Sequence, residues 1–334
     1  MKKLLAILLT LTTLLFSLAA CQDNNSDDPT PEINLVSEAD HDAVVAKMLT
    51  GEIEVAVLPE PKATVAVLNA KQNGHSYSVK LNISNEWSSV SENELAMGCI
   101  AVRNDFITSY EASLVDFLAE YKASIEYIGN KSNAESSAQM IVDAGVLPKL
   151  PVAKSALNNL YGAIVYQDGA EMKATLKDFY SAISLTQPAD AFYYIPDSTA
   201  QNTVDRKIVI GIMNGPTGMG MAKLISDYGK ENDKYEFVMY SDPSLATADL
   251  NNGEIDMACL PTNTVANLAN KGSQISVASI NCLGSLYVVA KDGIEINSVA
   301  DLCGKNVYYG VPNSTTAPIL RYIFGKHNIA TKES

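Results

Sequence analysis

Apolar and polar positions along the chain fall into three regimes. Residues 4–18 are an almost unbroken apolar stretch behind Lys2 and Lys3, closed by the small residues Ala19 and Ala20. Residues 1–20 therefore read as a secretory signal, shorter than the roughly 20 apolar residues of a spanning helix. Residues 22–29 are polar and acidic with no apolar period, which predicts a solvated tether. From Ile33 onward, short apolar runs alternate with amphipathic stretches. The pattern predicts strands at 33–37, 208–212 and 307–311. It predicts helices at 40–49, 113–128 and 172–183, and helices that end near Tyr228 and Phe324. Strands and helices alternating at this spacing predict an α/β fold with parallel-rich sheets covered on both faces. Right-handed crossovers then put each strand-to-helix turn at the C-terminal edge of its sheet.

The pattern repeats. Gly253-Glu254-Ile255-Asp256-Met257-Ala258-Cys259-Leu260-Pro261 matches Gly51-Glu52-Ile53-Glu54-Val55-Ala56-Val57-Leu58-Pro59 at six of nine positions. Two strands also end in the same turn, G-x-x-N-x-x-T, at Gly211–Thr217 and at Gly310–Thr316. In the continuous copy of the repeat, the turn Asn214 precedes Gly253 by 39 residues. In the other copy, Asn313 lies near the C-terminus and Gly51 near the N-terminus; with Ser334 followed by Ile33, their separation would be 40 residues. That copy is thus split across the chain ends, as in a circular permutation. Its strand 33–37 is expected beside strand 307–311 in one parallel sheet, with Ser334 near Ile33.

Composition narrows the function. With 334 residues, 47% hydrophobic and 19% charged, the chain has material for about two domains. A formal charge of −14 with no basic run argues against nucleic acid as a partner. The histidines, His41, His75 and His327, are too far apart for metal-ligand spacing, so no metal and no cofactor are expected. Cys99, Cys259, Cys282 and Cys303 form no C-x-x-C and read as packed thiols, although an exported chain permits disulfides. Leu18-Ala19-Ala20-Cys21 resembles the lipobox of bacterial lipoproteins. That resemblance implies cleavage before Cys21, its diacylation, and a cell-membrane anchor on the extracytoplasmic face, with 21–32 as the lipidated tether.

Longer motifs carry a second resemblance. MNGPTGMGMAKL (213–224), LNNGEIDMACLPTN (250–263), INCLGSLYVV (280–289) and DLCGKNVYYGVPNSTT (301–316) place residues 204–334 with one family half. GEIEVAVLPEP (51–61) and MGCIAVRNDF (97–106) place residues 33–195 with the other. The chain resembles substrate-binding proteins of ABC importers, the nitrate/sulfonate/taurine and thiamine-precursor group, with the N-terminal and C-terminal halves in swapped order. The resemblance implies a two-lobed, periplasmic-binding-protein-like (type II) fold that encloses a small molecule between lobes and delivers it to an ABC permease and its ATPase. It also implies hinge strands, matched here by 285–290 and 99–102. One lobe would comprise 33–99 plus 293–334 and the other 100–292, with 197–205 as the linker joining the original termini. Enzymes of thiamine-pyrimidine or menaquinone type share the fold, and a ligand-sensing subunit is a further alternative. No nucleophile–base–orienter arrangement is legible, so a binding protein is expected rather than an enzyme.

The candidate ligand contacts lie in the turns. Asn214, Gly215, Thr217, Gly218 and Met219 open a helix whose first N–H groups favour an anionic or carbonyl oxygen. Met221-Ala222 after Gly220 excludes a phosphate loop of the Walker type. Asn313, Ser314, Thr315 and Thr316 form the mirrored turn. Thr262 and Asn263 follow one GEI strand and Glu60 the other; Asn263 either caps its helix or meets ligand, and Glu60 either accepts from a ligand amine or complements a helix N-terminus. Arg103 is read as an anion clamp or an interlobe ion pair, Trp87 as a stacking platform or packing, and Tyr193-Tyr194 as packing.

Overall fold

A computed structural model describes residues 31–197, 199–229, 232–312 and 314–334. The signal segment, Cys21, most of the tether and the turn residue Asn313 lie outside the described residues. The chain runs β1 (Glu32–Glu38), α1 (His41–Leu49), β2 (Val55–Pro59), α2 (Lys62–Gln72), β3 (Tyr77–Asn82), α3 (Ile83–Val90), β4 (Ala96–Arg103) and α4 (Asn104–Gly129). Next come α5 (Ala134–Asp143), α6 (Leu150–Asn159), β5 (Ile164–Asp168), α7 (Gly169–Ala182), β6 (Ile208–Met213), α8 (Pro216–Met219), α9 (Ala222–Tyr228) and β7 (Tyr235–Tyr240). It ends with α10 (Pro243–Asn252), β8 (Met257–Pro261), α11 (Thr262–Asn270), β9 (Ile275–Leu283), β10 (Leu286–Lys291), β11 (Asn306–Gly310), α12 (Thr316–Lys326) and β12 (Ala330–Glu333).

These elements divide into two compact units. The first holds the chain up to Leu58, Ala66–Asn82 and Tyr287–Ser334. Its sheet has the order β12-β1-β11-β2-β10-β3. Alternation in β1 buries Ile33 and Leu35 fully, and α12 adds a helical stripe of Ile319, Leu320, Ile323 and Phe324. The N-terminal strand β1 pairs in parallel with β11, Leu35 opposite Val307, and with β12, Ile33 opposite Thr331. The Ser37 N–H donates to the Ser334 carbonyl (3.2 Å), and the Ser334 N–H to the Leu35 carbonyl (3.1 Å). The strand placement expected from the repeat spacing is therefore observed.

The second unit holds Pro59–Val65 and Ile83–Leu286, with sheet order β5-β9-β4-β8-β6-β7. Here β6 pairs in parallel with β7 and β8, while β4 runs antiparallel to β8 and β9 and β5 antiparallel to β9, so the sheet is mixed rather than parallel-rich. Its core centres on α4, which buries Leu114, Phe117, Leu118, Tyr121, Ile125 and Ile128 on one face. This helix starts nine residues before the expected position, because a segment from Asn104 joins it across a kink at Tyr110 (φ −141°, ψ 39°).

Two expected boundaries move. Residues 83–99 belong to the second unit because β4 is paired on both sides within its sheet and Trp87 of α3 packs against Phe179. Residues 287–292 belong to the first because β10 pairs with β3. Residues 99–102, expected as a hinge strand, are the middle of β4; the chain passes between the units at Leu58/Pro59, Val65/Ala66, Asn82/Ile83 and Leu286/Tyr287.

The repeat is visible in the topology. In the second unit, β6 ends in the G-x-x-N-x-x-T turn and lies between β7 and the GEI strand β8. In the first, β11 ends in that turn and lies between β1 and the GEI strand β2. All four pairings are parallel.

Candidate functional site

The turn after β6 is shaped by its glycines. The Asn214 N–H extends the ladder to the Tyr240 carbonyl (2.9 Å). Gly215 has φ 137°, a value L residues rarely adopt, and Pro216 starts α8 at a position where no N–H is needed. A Cβ on Gly218 would stand 2.1 Å from the Met213 carbonyl oxygen, so only glycine lets α8 fold back onto the strand end. The Gly218 and Met219 N–H groups both donate to the Gly215 carbonyl (3.0 and 3.1 Å). These two donors are spent inside the turn. The Gly215 and Thr217 N–H groups have no acceptor among the described residues. Asn214 is exposed and Thr217 half-buried, so both side chains reach the sheet edge. Met219 does not: it is fully buried in the core with α4, which removes it from the candidate contacts.

Thr262 is also withdrawn. It is fully buried; its hydroxyl donates to the Ala96 carbonyl (2.7 Å), and its carbonyl accepts from the Tyr180 hydroxyl (3.0 Å). It ties β4 and α7 to the start of α11. Asn263 is only 7% exposed yet makes no side-chain hydrogen bond among the described residues. Pro261 occupies the N-cap position of α11, so Asn263 is not the cap.

Glu60 sits beside this turn through Pro61, whose Cδ is 3.7 Å from where a Gly215 Cβ would be. It is 1% exposed. Its Oε1 accepts from Asn159 Nδ2 (2.6 Å) and Thr64 Oγ1 (3.0 Å), and Oε2 from the Thr64 N–H (3.3 Å). Burial pushes its pKa above the ordinary carboxylate value, against the pull of these hydrogen bonds. Of the two expected roles, the contacts are those of a helix-start complement.

In the first unit, the described part of the mirrored turn is Ser314–Thr316. The Ser314 N–H donates to the Val311 carbonyl (2.9 Å), and Ser314 Oγ accepts from the Thr316 N–H (3.3 Å). Thr315 and Thr316 are buried at the start of α12. A Cβ on Gly310 would lie 2.4 Å from the His41 backbone nitrogen, so the end of β11 abuts the start of α1. Each turn thus sits where parallel strands end and helices begin, the edge at which open α/β sheets receive ligands.

Three further candidates fall elsewhere. Arg103 lies at the opposite end of β4, beside Gly253, and grips Asp105 through Nε (2.8 Å) and Nη2 (2.7 Å). That grip holds the Asp105 carboxyl below its ordinary pKa, and it is an ion pair within one unit rather than an anion clamp. Trp87 is 1% exposed with its indole N–H on the Asn93 carbonyl, so its ring is packing. Tyr193 and Tyr194 are buried as expected. Among the described residues, Cys99, Cys259, Cys282 and Cys303 form no disulfide; burial pushes Cys259 and Cys282 up to about 12. Residues that sequence reasoning missed are Asn281, Gly98 and Asn159. Gly98, inside the MGCI motif, and Asn281, inside INCLGSLYVV, lay within quoted motifs but were not singled out.

No family model matches the chain, and no curated protein matches it. Solved structures similar to it include a binding protein component of an ABC phosphonate transporter from Pseudomonas aeruginosa (10% identity, 90% of this chain and 80% of that chain, TM-score 0.37). Another is substrate-binding domain 2 of GlnP from Lactococcus lactis (8% identity, 92% and 93%, TM-score 0.36). A third is an ancestral arginine-binding protein bound to arginine (9% identity, 89% and 92%, TM-score 0.34). At these scores the likeness assigns no ligand and no partner to this chain.

Proposed function

We propose that this chain is an extracytoplasmic lipoprotein, anchored through Cys21, that binds a small polar molecule and delivers it to the permease of an ABC importer. One observation carries the reading. Both units place a G-x-x-N-x-x-T turn on a strand flanked by its GEI strand, at the edge where helix N-termini open outward. Asn214, Gly215, Thr217 and Asn263 are the proposed contacts in the second unit, and Asn313, Ser314, Thr315 and Thr316 in the first. Gly218 shapes its turn, and Glu60 complements the start of α2. The proposal includes a circular permutation of the two-unit fold, supported by β1 lying between β11 and β12.

The proposed ligand classes are nitrate, sulfonates such as taurine, and thiamine-precursor pyrimidines. A thermal-shift screen of these three tests the reading. A binder at 100 times its Kd adds about 2.7 kcal/mol and raises the melting temperature visibly. No shift with any member would count against a binding protein of this kind.

A further inference from the structure

Asn281, near the end of β9, is 1% exposed. Its Nδ2 donates to the carbonyl of Thr217 (3.1 Å), 64 residues away in the chain. Its Oδ1 is buried with no hydrogen bond of good geometry among the described residues, and the wholly buried Tyr121 hydroxyl is its polar neighbour. A buried carboxamide with an unfilled acceptor is costly, and an apolar residue of that shape would carry no such cost. What the amide supplies is the bond to Thr217.

That bond acts at a crowded point. A Cβ at residue 98 would lie 2.4 Å from Thr217 Cγ2 and 2.5 Å from Asn281 Oδ1, so glycine at 98 is what lets the two side chains close on the strand. The Thr217 carbonyl and the Gly218 N–H belong to one rigid peptide plane. Asn281 holds the carbonyl end, and the Gly215 carbonyl holds the N–H end. With both ends fixed, the plane cannot tilt, and the Cα of Thr217, from which the hydroxyl-bearing side chain projects, is held in place.

We propose that Asn281 is a positioning residue: through the Thr217 carbonyl it pre-sets the turn after β6, so that little ordering cost falls on ligand binding. The ligand part of this statement rests on the function proposed above, whereas the positioning part does not and is tested without any ligand. Hydrogen exchange would be followed in peptides covering 214–221 and 257–261, with the melting temperature, in Asn281→Leu. Leucine keeps the shape and removes both the donor and the unfilled acceptor. The Gly218 and Met219 amides should exchange about fivefold faster or more, the change expected for one lost hydrogen bond. Exchange in β8 and the melting temperature, within about 2 °C, should stay as in the wild type. Asn281→Ala, which leaves space instead of filling it, should give the same acceleration at 214–221. Unchanged exchange in the turn would overturn the proposal. So would joint acceleration of turn and β8, or failure of both variants to fold, since each makes Asn281 an ordinary structural residue. A failed ligand screen with the predicted exchange pattern would instead remove only the proposed function.

Discussion

Asp256 and Glu54 hold the same place in the repeat but face different surroundings, and this gives a sharp expectation for stability. Asp256 is 1% exposed and accepts from Arg206 Nη1 (2.7 Å), Arg206 Nη2 (2.7 Å) and the Val209 N–H (2.9 Å). Glu54 is exposed. Arg206→Ala leaves a buried carboxylate with one side-chain-directed donor. Breaking a fully buried pair costs about 3–5 kcal/mol. The Arg206 side chain is 46% exposed, however, so water replaces part of what is lost, and about 2 kcal/mol is the working value. That corresponds to a fall of about 4–8 °C in melting temperature for a body of this size. Urea unfolding of Arg206→Ala, Asp256→Asn and the double variant would measure it. The two single losses should not add, with a coupling of about 1–2 kcal/mol. Glu54→Gln should stay within about 0.5 kcal/mol of wild type. Equal effects at the two repeat positions, or an Arg206→Ala variant as stable as wild type, would refute the reasoning.

Glu60 gives a pH signature. Its folded pKa is raised above the ordinary 4.5, so its favourable contribution is present below that value and is lost as pH rises through the raised one. Glu60→Gln cannot ionise, so wild-type stability minus variant stability should fall as pH rises from about 4.5; a difference that is flat or grows contradicts this. Thiol labelling with a maleimide should reach half-buried Cys303 in the native protein and Cys99, Cys259 and Cys282 only after denaturation, since these three are buried and hard to ionise. Native labelling of all four would show that the β4–β8–β9 region opens readily. Cys21→Ser should release the protein from membranes, and retention in high salt would end the lipoprotein reading.

Much of the fold was legible because it depends on spacing and period. The interval between turn and GEI strand placed β1 beside β11 before any contact was known. Register and pairing of long-range strands were harder. Residues 99–102 look like any buried apolar run, and nothing local distinguishes a hinge strand from the middle of β4. The site was legible only as a turn. Met219 stands two residues from Thr217 in the sequence, yet it is fully buried where Thr217 is half-buried. A four-residue helix such as α8 is too short for periodicity to tell the two apart. Asn281 lies inside the INCLGSLYVV motif, but nothing there marked it out, since its bond is to a carbonyl 64 residues away.

The central claim is that the G-x-x-N-x-x-T turns are ligand-binding turns, and calorimetry on turn variants tests it most directly. Titration would use whichever of nitrate, taurine or the thiamine-precursor pyrimidine shifts the wild-type melting temperature. Asn214→Ala and Thr316→Ala each remove one polar partner, a loss of about 1–3 kcal/mol, or roughly ten- to hundred-fold in Kd. His75→Ala, whose ring packs by Gly51, should bind as wild type does. Weakened binding in both turn variants, with melting temperatures nearly unchanged, is the predicted result; wild-type affinity in both would contradict the account.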